Sequence, residues 1–389
     1  LGMENFDAIW NYPTQIHMGI GKTKTLPALC AELNILNPLF VTDSVLAESS
    51  MFQLAVSHCL KQGLGCETFS HVASNPTDKN VMAGVDAFLA GRHDGIIAFG
   101  GGSSIDAGKA IAFMVDQSRP LWGFEDGGGN WRRANTENIA PVIALPTTAG
   151  TGSEVGRVSV ITDSKLRVKR LLFHPSMMPD KVILDPELTK DLPPHLTAAT
   201  GMDALSHALE AYCSPNFHPM ADGIALEAIR LIQQYLTRAF KNGQDMEARA
   251  NMMVASTMGA TAFQKGLGAM HALAHPLGGQ FNAHHGLLNA ILMPYIVKAN
   301  RAAIQTRIER LARHINLGDT SFDGFLLWLL NLRRDLAIPH SLKEIEVDDA
   351  HASLIGQMAF DDPSAAGNPI SFTPQEYEQI FTSAVRGQL

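Results

Sequence analysis

The chain has 389 residues, 46% of them hydrophobic and 17% charged, with a net charge of −8. At roughly 150 residues per domain there is room for two or three domains, and for sizeable cores without disulfides or a structural metal. The apolar content excludes a disordered chain, and the acidic balance leaves no electrostatic footprint for nucleic acid or an anionic membrane. Charge below the usual ~25% predicts that part of the surface is covered, as by a second subunit.

Leu1-Gly2 ahead of Met3 reads as a tag scar, with Met3 as the natural start, and no signal peptide is evident. Cys30, Cys59, Cys66 and Cys213 form no C-x-x-C pair and read as reduced thiols of a cytoplasmic protein. No apolar run reaches the ~20 residues of a membrane helix. A soluble intracellular protein is therefore expected.

Along the first half, Pro38–Thr42, Gly95–Phe99, Pro141–Leu145 and Lys181–Leu184 are short, apolar on both faces and bounded by Gly, Pro or Asp. Alternating with helical patterns, they predict a buried parallel sheet of βαβ units. Arg157–Asp163 and Arg170–His174, separated by a charged turn, predict a hairpin. After Asp185-Pro186 the pattern becomes helical: Ala221–Phe240, Glu247–Gln264 and Ala302–Ile315 carry apolar residues at i, i+3, i+4 spacing. The predicted organisation is a Rossmann-like α/β domain over 1–185 and an all-helical domain over 186–389. The crevice between two such halves is a usual place for a ligand.

Within the first half, Ile96 to Lys109 runs from a strand through Gly100-Gly101-Gly102 into a helix. Glycines admit a bulky anion to the backbone, and the helix N-terminus offers unpaired N–H groups and partial positive charge. Ser103 or Ser104 can cap that helix or donate to a phosphate. Asp43, ending an earlier strand, is suited to accept from ribose hydroxyls and to repel a 2′-phosphate, favouring NAD over NADP. Its plain alternative is a helix N-cap. Gly21-Lys22-Thr23 ends like a phosphate-binding P-loop, but the required glycine five residues before Gly21 is Ile16. Gly150-Thr-Gly-Ser-Glu154 lacks the order of a serine nucleophile elbow. The stretch Ala144–Ser153 instead offers hydroxyls and backbone N–H groups at a strand's C-terminal end, the edge where cofactors bind in open α/β sheets.

Of the 15 histidines, His271, His275, His284 and His285 fall close together. Upstream, Asp203 and His207 are spaced i, i+4 on one helical face, as are His271 and His275 on a helix that Pro276 is predicted to end. Burying several imidazoles among Leu, Met and Ala is costly unless they are hydrogen-bonded or ligate a metal. No glutamate base accompanies them, because position 272 is Ala rather than the Glu of H-E-x-x-H. The donor types suit Zn²⁺, Fe²⁺, Mn²⁺, Co²⁺ or Ni²⁺. Five histidines compete for three positions, and spacing does not choose among them.

The sequence resembles the iron-containing (group III) alcohol dehydrogenase family. The resemblance rests on Gly100–Asp106, Pro146–Glu154, Thr197–Tyr212 and Gly266–Pro276 continuing to His285-Gly286. It implies a dinucleotide-binding α/β domain followed by a helical metal-binding domain, in a dehydroquinate-synthase-like architecture. It further implies Asp203, His207, His271 and His285 as metal ligands, with Fe²⁺ as the metal and Zn²⁺ as the alternative. His275 is then the catalytic residue, a non-ligand facing substrate and nicotinamide that relays the alcohol proton; the plainer alternative is a group that only orients its neighbours. Cofactor contacts would come from Asp43, Asn75, Gly101, Gly102, Ser103, Asp106, Thr147, Thr148, Thr151 and Lys169. His284 corresponds to no fixed ligand, and 121–131 lies in a more variable region suited to shaping substrate access. A homodimer acting on a small alcohol or aldehyde follows from the same likeness, with NAD as cofactor and NADP as the alternative.

Three neutral imidazoles and one carboxylate leave a divalent ion net positive, which lowers the pKa of an alcohol oxygen and prepares hydride transfer to nicotinamide C4. The competing expectations are a zinc-dependent polyol dehydrogenase, a dehydroquinate-synthase-like lyase and a non-catalytic nucleotide or metal sensor. The lyase would need Lys and Arg to hold a phosphorylated sugar acid, and the histidine-bearing helices are poor in both.

Overall fold

The computed structural model describes residues 9–389. The start at Leu1-Gly2-Met3 lies outside them. The chain divides into two compact units: Pro13–Asp191, and Leu192–Leu389 together with the segment ending at Tyr12. The composition change after Asp185 lies shortly before that division. Composition does not signal that Asn11 and Trp10 belong with the second unit. There the Asn11 backbone exchanges hydrogen bonds of 2.7 Å with the Gln264 amide, and Trp10 stacks on His218.

The first unit contains a six-stranded, all-parallel sheet of β1 (Gln15–Met18), β2 (Pro38–Val41), β3 (Glu67–Phe69), β4 (Gly95–Gly100), β5 (Val142–Pro146) and β8 (Lys181–Leu184), in the order β1-β8-β5-β4-β2-β3. The antiparallel hairpin β6 (Val158–Asp163) and β7 (Val168–Phe173) stands apart from it. β2, β4 and β5 are buried along their whole length, as expected of β-branched and aromatic runs covered on both faces. Helices α1 (Leu26–Glu32), α2 (Ser44–Ala47), α3 (Ser50–Lys61), α4 (Asp78–Ala90) and α5 (Gly102–Met114) connect the strands. Phe52 of α3 meets Phe40 and Phe99 edge-on at 5.6 and 5.2 Å. Each such side chain contributes about 1.5–3 kcal/mol by leaving water.

The order reverses at β2, which pairs with β3 on one side and β4 on the other. Ligands of open α/β sheets bind outside the strand C-termini at such a reversal. Asp43 follows β2 and Gly101-Gly102 follow β4, so both lie at that edge.

Among the described residues the second unit contains no strand. Its helices are α6 (Pro194–Cys213), α7 (Pro219–Lys241), α8 (Met246–Ala262), α9 (Ala269–Phe281), α10 (His285–Ala299), α11 (Arg301–His314), α12 (Phe322–Asp335), α13 (Ala352–Asp361) and α14 (Pro374–Arg386). α6 is apolar nearly all round and lies under α7, α8 and α10, whereas α7 and α14 are amphipathic and carry their polar faces outward. One expectation is overturned: α9 continues through Pro276 to Phe281. A proline removes a single donor from the helix ladder, and packing of α9 against α10 and α13 carries the helix past that loss. No helix among the described residues is long and apolar enough to cross a membrane.

Candidate metal centre and phosphate loop

In the α/β unit, Gly101 is the N-cap of α5 and supplies no side chain to its first turn. The leading N–H groups of this helix therefore stay available to an anion. Thr147 continues from β5, and its N–H donates to the Gly100 carbonyl at 3.0 Å, which sets Thr147 and Thr148 beside the glycines. Ser103 Oγ donates to the Ser74 carbonyl at 2.5 Å, docking the Asn75 loop on the same helix end. That loop is tied in turn to the hairpin by Thr162 N–H donating to the Pro76 carbonyl at 2.8 Å, and Lys169 is Thr162's cross-strand partner. Thr151 is exposed in the loop after β5. Asp43 caps α2 through Oδ1 alone, accepting from Val45 and Leu46 at 2.9 and 2.8 Å. The cap and a ribose contact are thus compatible.

Asp106 points inward. Its Oδ1 accepts from Ser153 Oγ at 2.5 Å and lies 3.3 Å from Lys109 Nζ, while Oδ2 accepts from Val160 N–H at 3.1 Å. Both oxygens are engaged with protein donors, so Asp106 shapes the loop from beneath.

In the helical unit, α6, α9 and α10 bring one donor atom each from Asp203, His207, His271 and His285 within 4.8 Å of one another. The close approach of α10 to α6 depends on Gly286: a Cβ there would meet the Ala199 carbonyl oxygen at 2.4 Å and Asp203 Cβ at 3.2 Å. Nitrogen and oxygen donors sharing one small cation at ~2.0–2.2 Å stand no more than about 4.4 Å apart. The four donor atoms lie within 4.8 Å of one another, so side-chain adjustments of a few tenths of an ångström would bring them onto a single ion. Around the cluster, His207 Nδ1, His271 Nδ1, Glu210 Oε2 and Asn289 Oδ1 are buried without hydrogen-bond partners. Three imidazoles and a carboxylate fit Fe²⁺ or Zn²⁺.

Burial works to raise the Asp203 carboxyl, but the imidazoles of His207, His285 and His271 outweigh it and hold the group well below the usual carboxylate range. Burial, with His207 adjacent, pushes His271 well below an ordinary imidazole, the neutral form a metal ligand needs. Burial raises Glu210 to about 8 against the pull of the His271 and Gly268 amides, and a cation bound to the adjacent donors would favour its ionised form.

The remaining histidines of the group are turned elsewhere. His275 Nδ1 pairs with Asp362 at 2.9 Å while its ring stacks on His285 with centroids 5.7 Å apart. His284 is the N-cap of α10 and accepts from Leu287 N–H at 3.4 Å. Sequence reasoning missed three residues. Asn289 is fully buried, and its Nδ2 lies 2.9 Å from Asp203 Oδ1, 3.2 Å from His271 Nε2 and 3.1 Å from His285 Nε2. Its spacing of i+4 from His285 was a readable signal. Glu210, i+3 from His207 in the same motif, was readable too, whereas Asp362 carries no local signal.

A helical scaffold that gathers three imidazoles and a carboxylate, in a chain whose α/β unit leaves a helix N-terminus open behind paired glycines, defines a metal-dependent dehydrogenase. Comparison with known proteins agrees. Residues 13–186 match the iron-containing alcohol dehydrogenase family, and residues 197–385 match that family's C-terminal domain. A 4-hydroxybutyrate dehydrogenase of Cupriavidus necator is 37% identical over 96% of this chain and 99% of its own length. An NAD-dependent methanol dehydrogenase of Bacillus methanolicus is 33% identical over 95% and 97%. The crystal structure of a 1,3-propanediol oxidoreductase superposes with a TM-score of 0.92 at 32% identity, covering 97% of this chain and all of the other. The chain belongs to the iron-containing alcohol dehydrogenase family and is a metal-dependent oxidoreductase acting on CH–OH groups.

Proposed function

We propose that the enzyme oxidises small primary alcohols or ω-hydroxy acids, and reduces the matching aldehydes, by hydride exchange with NAD at an Fe²⁺ centre held by Asp203, His207, His271 and His285. The observation that carries this reading is the gathering of those four donors within 4.8 Å of one another. The substrate class rests on relatives named for 4-hydroxybutyrate, methanol and 1,3-propanediol, all primary alcohols. When bound, the cation supplies a Lewis acid that stabilises negative charge on the alcohol or carbonyl oxygen.

The chain's own residues do the rest. His275 carries the alcohol proton: Asp362 fixes Nδ1, which leaves Nε2 free to accept. Gly101, Gly102 and the first turn of α5 hold the pyrophosphate with Thr147, Thr148, Thr151 and Ser103, while Asp106 shapes the loop. Asn75 and Lys169 add to the contacts with the dinucleotide, and Asp43 accepts from the ribose and disfavours NADP. The working form is a homodimer in the cytoplasm.

The test is to replace His271 or His285 by Ala and measure bound metal by elemental analysis alongside NADH formation on an alcohol panel. Both should fall together, turnover by orders of magnitude. Full activity in metal-stripped wild type sinks the reading.

A further inference from the structure

Glu210 lies one turn beyond His207 on α6, with its side chain 6% exposed. Oε1 accepts the backbone N–H of His271 at 3.1 Å. The first turn of α9 has no side-chain cap of its own, because its N-cap is Gly268. Asn368 Oδ1 from a later loop takes the Ala269 N–H at 3.1 Å, and Glu210 takes the His271 N–H, so two distant residues cap this helix. A Cβ at position 268 would sit 3.0 Å from Glu210 Oε2, and glycine leaves that space to the carboxylate.

Capping occupies only one oxygen. Oε2 has no hydrogen-bond partner, and neither does His271 Nδ1; the two face each other at 3.5 Å. At the far side of the same ring, His271 Nε2 lies 3.2 Å from Asn289 Nδ2. The amide has two hydrogens for three neighbours, Asp203 Oδ1 and the Nε2 atoms of His271 and His285, and cannot accept from any of them. A hydrogen on His271 Nε2 would face that NH₂ unpaired, which favours the tautomer with the hydrogen on Nδ1. Imidazoles that ligate metals commonly give their other N–H to a carboxylate, which fixes tautomer and ring orientation.

We propose that Glu210 is a positioning residue of the metal centre: its Oε2 receives Nδ1–H of His271 and so fixes the tautomer that turns Nε2 toward the cation. The inference rests on the metal-centre reading above. One carboxylate then sets both the backbone and the ring of His271 from the helix that carries Asp203 and His207.

Metal-free wild type and Glu210→Gln are titrated with Co²⁺, with affinity read by chelator competition and ligand field by visible d–d absorption. Glu210→Gln keeps an oxygen for the His271 N–H but presents an amide to Nδ1–H. It should bind Co²⁺ about 10–100-fold more weakly, with shifted d–d bands. Glu210→Asp keeps the charge but draws the carboxylate back, and should also lose affinity. Wild-type affinity and spectrum in either folded variant overturn the inference and leave Glu210 a helix cap. If Glu210→Gln does not fold, Glu210→Asp decides alone. A wild-type chain that takes up no Co²⁺ overturns the metal-centre reading itself, which separates the two failures.

Discussion

In the α/β unit the fully buried Lys109 gives its ammonium to the carbonyls of Ser153, Gly156 and Val158 at 3.0, 3.3 and 2.6 Å, and Asp106 lies alongside with its own donors. In the helical unit the equally buried group around Asp203 leaves atoms of His207, Glu210, His271 and Asn289 unpaired. Buried polar groups are normally satisfied, so the two interiors have different meanings. The first is a strut: every charge has a partner, and the loop from Ser153 to Val158 is pinned to α5. The second gathers donor atoms of Asp203, His207, His271 and His285 within 4.8 Å of one another, an arrangement that a bound cation would complete. The phosphate loop differs again, because it presents backbone N–H groups and spends its side chains on shaping the loop.

The sharpest way to break this contrast is His275→Ala. His275 touches the cluster by ring contact, yet its Nδ1 belongs to Asp362. The variant should lose about 10²–10⁴-fold in kcat, the usual contribution of a positioned proton carrier, while retaining its metal. Loss of metal together with rate would make His275 an orienting group of the cluster instead.

Lys109→Met tests the strut. Removing one partner of a buried, hydrogen-bonded pair costs about 3–5 kcal/mol. Stability to urea should fall by that order while Co²⁺ affinity stays at the wild-type value. A variant of unchanged stability would deny that Lys109 pins the loop.

Asp43→Gly probes the phosphate-loop edge. It removes the carboxylate that disfavours a 2′-phosphate, so the ratio of kcat/KM for NADP over NAD should rise on the order of tenfold, equivalent to ~1.4 kcal/mol. The α2 cap is lost with it, which costs on the order of 1 kcal/mol of stability. An unchanged cofactor ratio would leave Asp43 a cap and nothing more.

The two regions were legible in the sequence to different depths. The central strands could be read because they are buried on both faces and rich in Val, Ile and Phe. β1 and β3 could not, because they are edge strands whose residues are largely exposed or half-buried. Around Asp203, the i, i+4 pairs were visible from helix geometry alone. Which of five histidines share a centre depends on how α6, α9 and α10 cross, and no local spacing encodes that. His275 and His284 are set apart only by Asp362, far along the chain, and by the cap of α10. Glu210 and Asn289 lie at helical spacing from histidines, but a Glu or an Asn on an apolar helix points to a metal shell only once its neighbours are known. Pro276 misled because a proline usually ends a helix, whereas here packing on both sides of α9 continues it.

The smallest effect belongs to the exposed side of the α/β unit, where the question is whether a visible charge cluster matters at all. Arg170 of β7 holds Glu125 through two hydrogen bonds, holds Asp163 at 2.8 Å, and lies 4.5 Å over the Trp122 ring. The hydrogen bond from Arg170 keeps the Glu125 carboxyl below its ordinary range, against some burial. The Glu125 side chain is 37% exposed, so solvent screens the pair, and its worth is about 0.2–1 kcal/mol rather than that of a buried pair. The sign follows from linkage. A carboxyl depressed in the folded state stabilises fully above its unfolded value of about 4.3, and loses that contribution as pH falls through the folded value. Glu125→Gln should therefore lower the urea midpoint slightly at pH 7, and the gap from wild type should narrow once pH drops below about 4. A gap that persists unchanged at low pH would assign the effect to packing on Trp122 rather than to charge. A gap as large as that of Lys109→Met would mean that this exposed cluster is as much a strut as the buried one.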